Sequence, residues 1–303
     1  MKKVFVLSIL ILVVTAPLYS YVAKRDLLSG VVLPIKWPTA SITWVLNPTQ
    51  GANVTGARSL STVMQASFDA WDAVTTANFT FTRGIDAVSA SIGNDGINVV
   101  KMNLAQADYN TIAGSALGLT LTTYNVATGA LVDADIILNP GVSFSTDLTT
   151  PSTRIDLQSV ATHEIGHLLG LDHSAILSAT MFPRIGEGMN APRVLSTDDI
   201  AGVSSIYPTA AFLSKGSISG TVRFTSNALV YGAIVVAVNS NGQPVAHGVS
   251  DPFGNYTING LDAGTYTIYA EPMDTPYEFS DQDVLNRIYP GSTITTAFTT
   301  RFR

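Results

Sequence analysis

Two elements near the start of the globular part of the chain stand out by the spacing of their apolar residues. In residues 37–46, Ile42, Trp44 and Leu46 alternate with more polar positions, which is typical of a half-buried strand. In residues 57–74, apolar residues recur every three or four positions, which predicts an amphipathic helix with one face against a core. The chain therefore begins this part with a strand followed by a helix.

Further strands and two more helices are predicted as far as residue 208. The strand-like runs, separated by Gly, Asn and Asp residues that favour turns, span residues 78–82, 97–102, 117–124 and 131–138. Residues 153–169 have helical spacing, and Gly170 is placed to end that helix. A third helix is predicted over residues 196–207, because Ser196 can cap it and Asp199 follows three residues later.

The pattern changes after Lys215, where short strands recur. They span residues 218–224, 233–238, 256–258 and 265–270, with turn residues such as Asn241-Gly242 between them. This pattern predicts a small all-β sandwich over residues 217–272, joined to the preceding part by a linker over residues 209–216. Residues 273–303 form a tail of uncertain structure, with only a weak helical pattern near 281–287.

The amino terminus has the features of a secretory signal peptide. Lys2 and Lys3 precede an apolar run from Val4 to Ala16, which is shorter than the ~20 residues that a bilayer span needs. We expect a signal peptide over residues 1–20, cut between residues 16 and 23, and a secreted, extracellular protein, with the periplasm as the alternative location. An uncleaved signal anchor is the other interpretation. No second apolar run of membrane length follows, so we expect no stable membrane insertion after signal removal.

Composition excludes several classes of function. Hydrophobic residues make up 46% of the 303 residues, which is enough for a core, whereas charged residues make up only 13%. The net charge is −6 and no Lys/Arg cluster follows the start, which argues against nucleic acid as a partner. The chain has no cysteine, so disulfides, thiolate metal sites and cysteine nucleophiles are excluded.

Three of the four histidines fall within eleven residues, from His163 to His173. His163 and His167 are four residues apart and therefore share one face of the predicted helix. Gly170 readily adopts the left-handed conformation that ends a helix, so the chain can turn back and bring His173 to the same point. Three neutral imidazoles leave one coordination position of a zinc ion open, which is typical of catalytic rather than structural zinc.

Glu164 adds a general base to this candidate metal site. It is rotated by ~100° from His163 on the helix, so its carboxylate can face the open position without being a ligand. A zinc-bound water, with its pKa lowered toward ~7, would lose its proton to Glu164, which would then protonate the leaving amine. These residues predict peptide-bond hydrolysis without a covalent intermediate. Other divalent ions also bind three-histidine sites.

The run HEIGHLLGLDHS, residues 163–174, resembles the extended zinc motif of the metzincin metallopeptidases. Ser174, directly after the third histidine, is similar to the matrixin branch, which includes the matrix metalloproteinases. Met181 in the run TMFP resembles the Met-turn, a loop beneath the metal that would support the site together with Gly170. Residues 195–207 resemble the start of the last helix of the family's catalytic domain.

The resemblance implies an α+β, metzincin-type catalytic domain over residues 37–208, with a twisted, mostly parallel sheet, a zinc helix, a Met-turn and a C-terminal helix. It implies one catalytic Zn2+ ion and protein or peptide substrates that lie extended along an edge strand, for which residues 113–121 are the candidate. The candidate substrate-binding residues are Leu117, Leu119, Pro183 and Ile185.

The chain departs from the family pattern at one position of the cleft. After Met181 the family commonly has Pro-x-Tyr lining a specificity pocket, whereas this chain has Pro183-Arg184-Ile185.

The later part of the chain resembles a different family. Residues 215–270 resemble the carboxypeptidase regulatory-like β-sandwich, a transthyretin-like module, in runs such as ISGTV and SDPFGNY. Because a fold does not identify a ligand, the ligand of this sandwich stays unknown.

Five other polar residues have simple structural interpretations. Asp198 and Asp199 are predicted to be helix N-terminal charges favoured by the helix dipole. His247 is predicted to be a surface or packing residue rather than a ligand. Asp133 and Asp135 fit a solvated strand face better than a Ca2+ site, which is the alternative.

Two other functions remain as alternatives to a secreted zinc endopeptidase. The first is a surface-binding β-sandwich protein with a vestigial, catalytically weak metallopeptidase domain. Intact Glu164 argues against it, because a retired peptidase has no physical need for a general base beside its metal. The second is a structural zinc domain, which the open fourth coordination position disfavours. We also expect cleavage of small peptides to survive deletion of residues 215–303.

Overall fold

The computed structural model describes residues 23–28, 31–273, 285, 288–295 and 297–302. The predicted signal peptide lies outside the described residues, as does most of the weak helical pattern near residues 281–287. Within the described part, no helix is both long and apolar enough to cross a bilayer.

Among the described residues, the first 208 positions contain ten strands, four α-helices and a 3-10 helix (Ala191–Arg193), and the later positions contain six strands and one short helix. The elements of the first part are β1 (Arg25–Leu28), β2 (Val31–Pro34), β3 (Ser41–Leu46), β4 (Val54–Thr55), α1 (Leu60–Asp72), β5 (Thr80–Arg83), β6 (Asn98–Lys101), α2 (Gln106–Ala113), β7 (Gly118–Tyr124), β8 (Leu131–Leu138), β9 (Phe144–Ser145), β10 (Ile155–Asp156), α3 (Leu157–Leu168) and α4 (Thr197–Ile206). Those that follow are α5 (Ala210–Leu213), β11 (Gly216–Thr221), β12 (Ala233–Asn239), β13 (Pro244–Val249), β14 (Asn255–Leu261), β15 (Tyr266–Pro272) and β16 (Arg301–Phe302).

A five-stranded sheet in the order β5-β3-β6-β8-β7 forms the centre of the first part. The first four of these strands run parallel, and β7 pairs antiparallel with β8 at the edge. The predicted mostly parallel sheet of an α+β fold is therefore confirmed. The predicted edge strand is shorter than residues 113–121, because Ala113 ends α2 and the strand starts at Gly118.

Helices α1 and α3 pack together and against this sheet. Phe68 of α1 stacks on Trp44 of β3, with ring centroids 3.9 Å apart. The indole nitrogen of Trp71 donates a hydrogen bond of 2.8 Å to the carbonyl oxygen of Thr162 in α3. Both aromatic residues of α1 lie on the apolar face that the sequence pattern predicts. Buried contacts with α1 therefore hold α3, the helix that carries His163.

Capping side chains determine where the helices begin, and two helices are shorter than predicted. Helix α1 starts at Leu60 because the side chain of Ser59 accepts a hydrogen bond from the backbone N–H of Thr62. Helix α3 starts at Leu157 because Asp156 caps it and the residue before pairs in β10. The capping box predicted for Ser196 and Asp199 is present.

The part after residue 215 is the predicted all-β sandwich. One sheet has the order β13-β12-β15-β16, and the other consists of β11 and β14. Strand β12 lies between two antiparallel partners and is buried over most of its length, which agrees with its continuous apolar run.

The segment predicted as a linker, residues 209–216, is packed between the two parts. It contains α5, whose Phe212 is buried. A Cβ atom added at Gly260 of β14, where φ is +75°, would lie 2.7 Å from Cε2 of Phe212 and 3.0 Å from Cβ of Ala201. The backbone of β14 at Gly260 therefore packs directly against side chains of α4 and α5, and only a glycine leaves room for this contact.

Candidate active site

The metal-binding motif lies on α3 and on the turn that ends it. The N–H of Gly170 donates to the carbonyl of His167, and that of Leu171 donates to the carbonyl of Gly166. Together with φ of +94° at Gly170, these two bonds form the Schellman arrangement that ends a helix. Gly170 therefore has the left-handed conformation that turning the chain back requires, and a Cβ there would lie 2.4 Å from the carbonyl oxygen of Ile35.

The turn brings the three histidines of the motif together. One nitrogen from each of His163, His167 and His173 lies within 4.8 Å of the corresponding atoms of the other two. The Nε2 atoms of His167 and His173 are 3.3 Å apart. Two nitrogens bound to one tetrahedral zinc ion at ~2.0–2.1 Å would be about 3.3–3.4 Å apart, so this spacing fits a zinc ion between them.

Backbone carbonyls orient two of the three imidazoles. Nδ1 of His163 lies 2.8 Å from the carbonyl oxygen of Thr180, and Nδ1 of His167 lies 2.9 Å from that of Leu171. Because a carbonyl only accepts hydrogen bonds, each Nδ1 carries the proton and each Nε2 keeps its lone pair. Histidine ligands of a metal typically donate their other ring N–H to a carbonyl or carboxylate in this way.

Burial keeps these imidazoles neutral. It lowers the pKa of His163 and lowers that of His167 well below its ordinary value, and the neighbouring histidines lower both further. Burial also lowers the pKa of His173 to about 4. At neutral pH all three rings therefore present lone pairs rather than protons, which is the state that metal binding requires.

Glu164 lies beside the histidines in a largely enclosed position, with 5% of its surface exposed. Its Oε2 accepts a hydrogen bond of 2.7 Å from the hydroxyl of Thr120 on β7. Burial raises the pKa of the Glu164 carboxyl, while His163 and the Thr120 hydroxyl oppose that rise. A Cβ at Gly118 would lie 2.8 Å from Oε1 of Glu164, so the edge strand can pass this close only with a glycine there.

Met181 packs against α3 and is joined by a hydrogen bond to the residue after His173. Its carbonyl accepts a hydrogen bond from the N–H of Ser174, which joins the Met-turn to the residue after His173. A Cβ at Gly166 would lie 2.2 Å from Sδ of Met181 and 2.9 Å from Trp71. The glycine within the histidine motif therefore lets α3 approach the methionine, a role that the sequence analysis did not assign.

A cleft of about 580 Å³ lies between β7 and the loop after the Met-turn, with the three histidines and Glu164 in its wall. The four predicted substrate-binding residues also line it: Leu117, Leu119, Pro183 and Ile185. Arg184, at the position where the family pattern diverges, lies in the same wall. The structure thus places all of the candidate substrate-binding residues in one cleft. Its volume is that of a typical ligand-binding pocket and suits a short stretch of peptide.

Asp133 and Asp135 do not lie on a solvated strand face, contrary to the sequence prediction. They are only 2% and 1% exposed. Asp135 accepts hydrogen bonds from the backbone N–H groups of Gly93 and Val99, and Asp133 accepts one from that of Gly96. The two side chains therefore hold the loop before β6. Among the described residues, His163, His167 and His173 are the only group of three or more His, Asp or Glu side chains close enough to hold a metal ion.

Asp198 and Asp199 lie in the first turn of α4, as predicted, and both also bind other parts of the chain. Both are buried. Asp199 accepts hydrogen bonds from the backbone N–H groups of Thr180 and Met181, and thereby anchors the Met-turn to α4. Asp198 accepts one of 2.6 Å from Ser174. His247 is a packing residue, as predicted, and its partner is Asp198.

Relatives of this chain include plant metalloendoproteinases and an animal matrilysin. Metalloendoproteinase 5-MMP of Arabidopsis thaliana is 34% identical over 148 residues, which are 48% of this chain and 38% of that protein. Metalloendoproteinase 1-MMP of the same plant is 28% identical over 185 residues, 57% of this chain and 44% of that protein. Matrilysin of Homo sapiens is 43% identical over 56 residues, 18% and 21% of the two chains. This chain therefore spans less than half the length of each of these curated relatives.

Two family models match the chain in turn. The model described as Matrixin matches residues 36–208, and the model described as Carboxypeptidase regulatory-like domain matches residues 217–274. The first match covers more than half of the 303 residues and includes every residue of the candidate active site. The chain therefore belongs to the matrixin family, with a carboxypeptidase regulatory-like domain after the matrixin domain.

Proposed function

We propose that this protein is a secreted zinc-dependent endopeptidase that hydrolyses peptide bonds with Glu164 as general base. The observation that carries the proposal is the convergence of three neutral imidazoles on one point, with the Nε2 atoms of His167 and His173 3.3 Å apart and a buried carboxylate alongside. The named relatives are metalloendoproteinases, which supports the same class of reaction.

The ion would be held by His163, His167 and His173. When bound, a zinc ion in such a site lowers the pKa of a coordinated water toward ~7 and polarises the carbonyl of the peptide bond. Three protein ligands suit this role, because structural zinc sites use four.

Glu164 then moves the protons. Its carboxylate accepts the proton of the attacking water and returns it to the nitrogen of the leaving amine. The hydroxyl of Thr120 holds one oxygen of Glu164 at 2.7 Å and so orients the carboxylate. Burial favours proton uptake by this carboxyl, because it raises the pKa of Glu164.

The edge strand β7 supplies a surface for an extended substrate. An edge strand has unpaired backbone groups, with which a peptide can form an additional strand. We assign Leu117 and Leu119 to contacts along this strand, and Pro183 and Ile185 to the pocket beside the metal. Arg184, where the family pattern diverges, lies in the same wall and so can contribute to the choice of substrate.

Secretion rests on the signal-like amino terminus, a Lys pair followed by a short apolar run. No specific observation favours the alternative of a surface-binding sandwich with a vestigial peptidase domain. The buried Glu164 and its bond to Thr120 are instead what a working general base requires.

The test is a pair of isosteric substitutions in the purified full chain. Glu164→Gln is expected to lower the rate of cleavage of an unfolded protein substrate by about 10²–10⁴-fold, since that is what general-base catalysis contributes. Zinc content, measured by elemental analysis, is expected to stay the same. Glu187→Gln, on an exposed glutamate, is the control and should leave the rate unchanged. Full activity of Glu164→Gln, or activity of the wild type that persists in a metal chelator, would contradict the proposal.

A further inference from the structure

A histidine of the C-terminal sandwich reaches the back of the metal site. His247 lies on β13 and is 1% exposed. Its Nδ1 lies 3.0 and 3.1 Å from the two carboxylate oxygens of Asp198 on α4, and its backbone N–H donates to the same carboxylate at 3.0 Å. Because an aspartate carboxylate accepts hydrogen bonds, Nδ1 is the protonated nitrogen. The sandwich thus supplies two donors to one buried carboxylate of the matrixin domain.

The same carboxylate holds the residue next to the third histidine. The hydroxyl of Ser174 donates to Asp198 at 2.6 Å, and Ser174 directly follows His173. The Ser174 oxygen also accepts a hydrogen bond from the N–H of Ile176, and the Ser174 N–H donates to Met181. Asp198 therefore fixes both the backbone that delivers His173 and the start of the loop that leads to the Met-turn.

Apolar packing joins the sandwich to this loop as well. Ile176 and Ala179, both between His173 and Met181, belong to one buried cluster with Tyr231, Ile234 and Val236 of the sandwich. The loop thus has the matrixin domain on one side and the sandwich on the other. Its conformation depends on both, because the sandwich covers Ile176 and Ala179 while Asp198 of the matrixin domain binds Ser174.

Loss of the donor from His247 would leave a buried carboxylate short of a partner. A buried carboxylate that loses a donor is strongly destabilised, so Asp198 would move toward water or exchange partners. Its bond to Ser174 would then be altered, and with it the position of His173. Contacts of this kind beyond the first ligand shell tune metal affinity in other metalloproteins.

We propose that His247 is a positioning residue for the metal site: through Asp198 and Ser174 it holds His173, so that the regulatory-like sandwich completes the catalytic unit. This inference rests on the proposed function for its effect on catalysis, but not for its effect on the metal. It also replaces the expectation that residues 215–303 can be deleted without loss of peptide cleavage.

The experiment compares variants of the full chain. His247→Phe keeps the ring volume and removes the donor, whereas His247→Asn places an amide nitrogen near the position of Nδ1. Ser250→Ala is the matched control, because Ser250 is buried in the same sandwich and its hydroxyl bonds only within it, to Val230 and Ala233. The measurements are the rate of zinc release to a chelator, kcat and KM for a peptide, and the thermal unfolding temperature.

We expect His247→Phe to release zinc about tenfold faster and to lower kcat, with KM changed by less than about twofold. His247→Asn should restore both values toward the wild type. Ser250→Ala should lower the unfolding temperature without changing zinc release or kcat. A folded His247→Phe protein with wild-type zinc release would overturn the inference, as would Ser250→Ala changing zinc release as much as His247→Phe does.

Should His247→Phe fail to fold, His247→Gln takes its place, because its amide nitrogen falls near Nε2 instead of Nδ1. His247→Asn is then expected to release zinc more slowly than His247→Gln, and equal rates would overturn the inference. If the wild-type chain cleaves no peptide at all, the proposed function fails, whereas zinc release from the same variants still decides the role of His247.

Discussion

The hydroxyl of Thr120 lies 2.7 Å from Oε2 of Glu164 and 2.8 Å from the backbone carbonyl oxygen of the same residue. It therefore joins the edge strand β7 to the zinc helix at the residue assigned as general base. Because Thr120 and Glu164 are 44 residues apart in the chain, this contact exists only through the packing of β7 against α3.

Removal of this hydroxyl should weaken catalysis more than folding. Thr120→Val keeps the shape of the side chain and leaves one carboxylate oxygen without its donor. A hydrogen bond to a charged group contributes ~1.5–3 kcal/mol, so we expect kcat to fall by about ten- to a hundredfold. Steady-state kinetics on a peptide is the measurement. Thr120→Ser, which keeps the hydroxyl, serves as the control and should stay near wild type; equal kcat values for the valine variant and the wild type would show that Thr120 does not orient Glu164.

A methyl group at Gly166 should disturb the packing of α3 against Met181 and Trp71, next to the histidine motif. Its Cβ would lie 2.2 Å from Sδ of Met181 and 2.9 Å from Trp71, and both of these residues are buried. Gly166→Ala is therefore expected to lower the free energy of unfolding by about 1–3 kcal/mol, as overpacking does in other cores. We expect zinc release to become faster as well, because the Met181 carbonyl accepts a hydrogen bond from Ser174, the residue after His173.

The control for this change is Gly264→Ala, where the nearest atom would lie 3.7 Å from the added Cβ. Its effect on the free energy of unfolding should stay within about 0.5 kcal/mol. Urea unfolding of both variants measures the difference. If the Gly166→Ala protein is as stable as the Gly264→Ala protein, Met181 moves aside without lowering the free energy of unfolding, and the prediction is wrong.

The buried Asp135 should make stability depend on pH. Burial raises the pKa of Asp135 from 3.8 to about 6, with a smaller contribution from Asp133. The folded state thus holds a proton at pH values where the unfolded state has lost it. The stabilisation from this protonation is complete below pH ~4 and is lost as the pH rises through ~6.

The Asp135→Asn variant has no titratable group at this position. Comparison with it therefore isolates the contribution of Asp135 protonation to the pH dependence of stability. The free energy of unfolding of the wild type minus that of the variant should fall by about 1–3 kcal/mol between pH 4 and pH 7. Urea unfolding of both proteins at the two pH values measures it, and the pH dependence that they share, including that of metal binding, cancels. A difference that rises with pH would refute the assignment.

The sequence by itself determined the metal motif and the main secondary structure. The spacing of His163, His167 and Gly170 acts within one helix and its C-terminal turn, and helix geometry is local, so the site could be predicted before any fold was known. The strands and the capped helix at Ser196 were predictable for the same reason. The resemblance to matrixins extended these local signals to the sheet and the Met-turn.

Only the tertiary structure decided which distant groups complete the site. The glycine at position 118 within a strand-like run was a sign of close approach, but nothing local identified Glu164 as its neighbour. Asp198 carries the sequence signal of a helix start, yet packing buries it and pairs it with His247 from another domain. Such pairings depend on how whole elements stack, because residues far apart in the chain meet only after loops and sheets have placed their backbones.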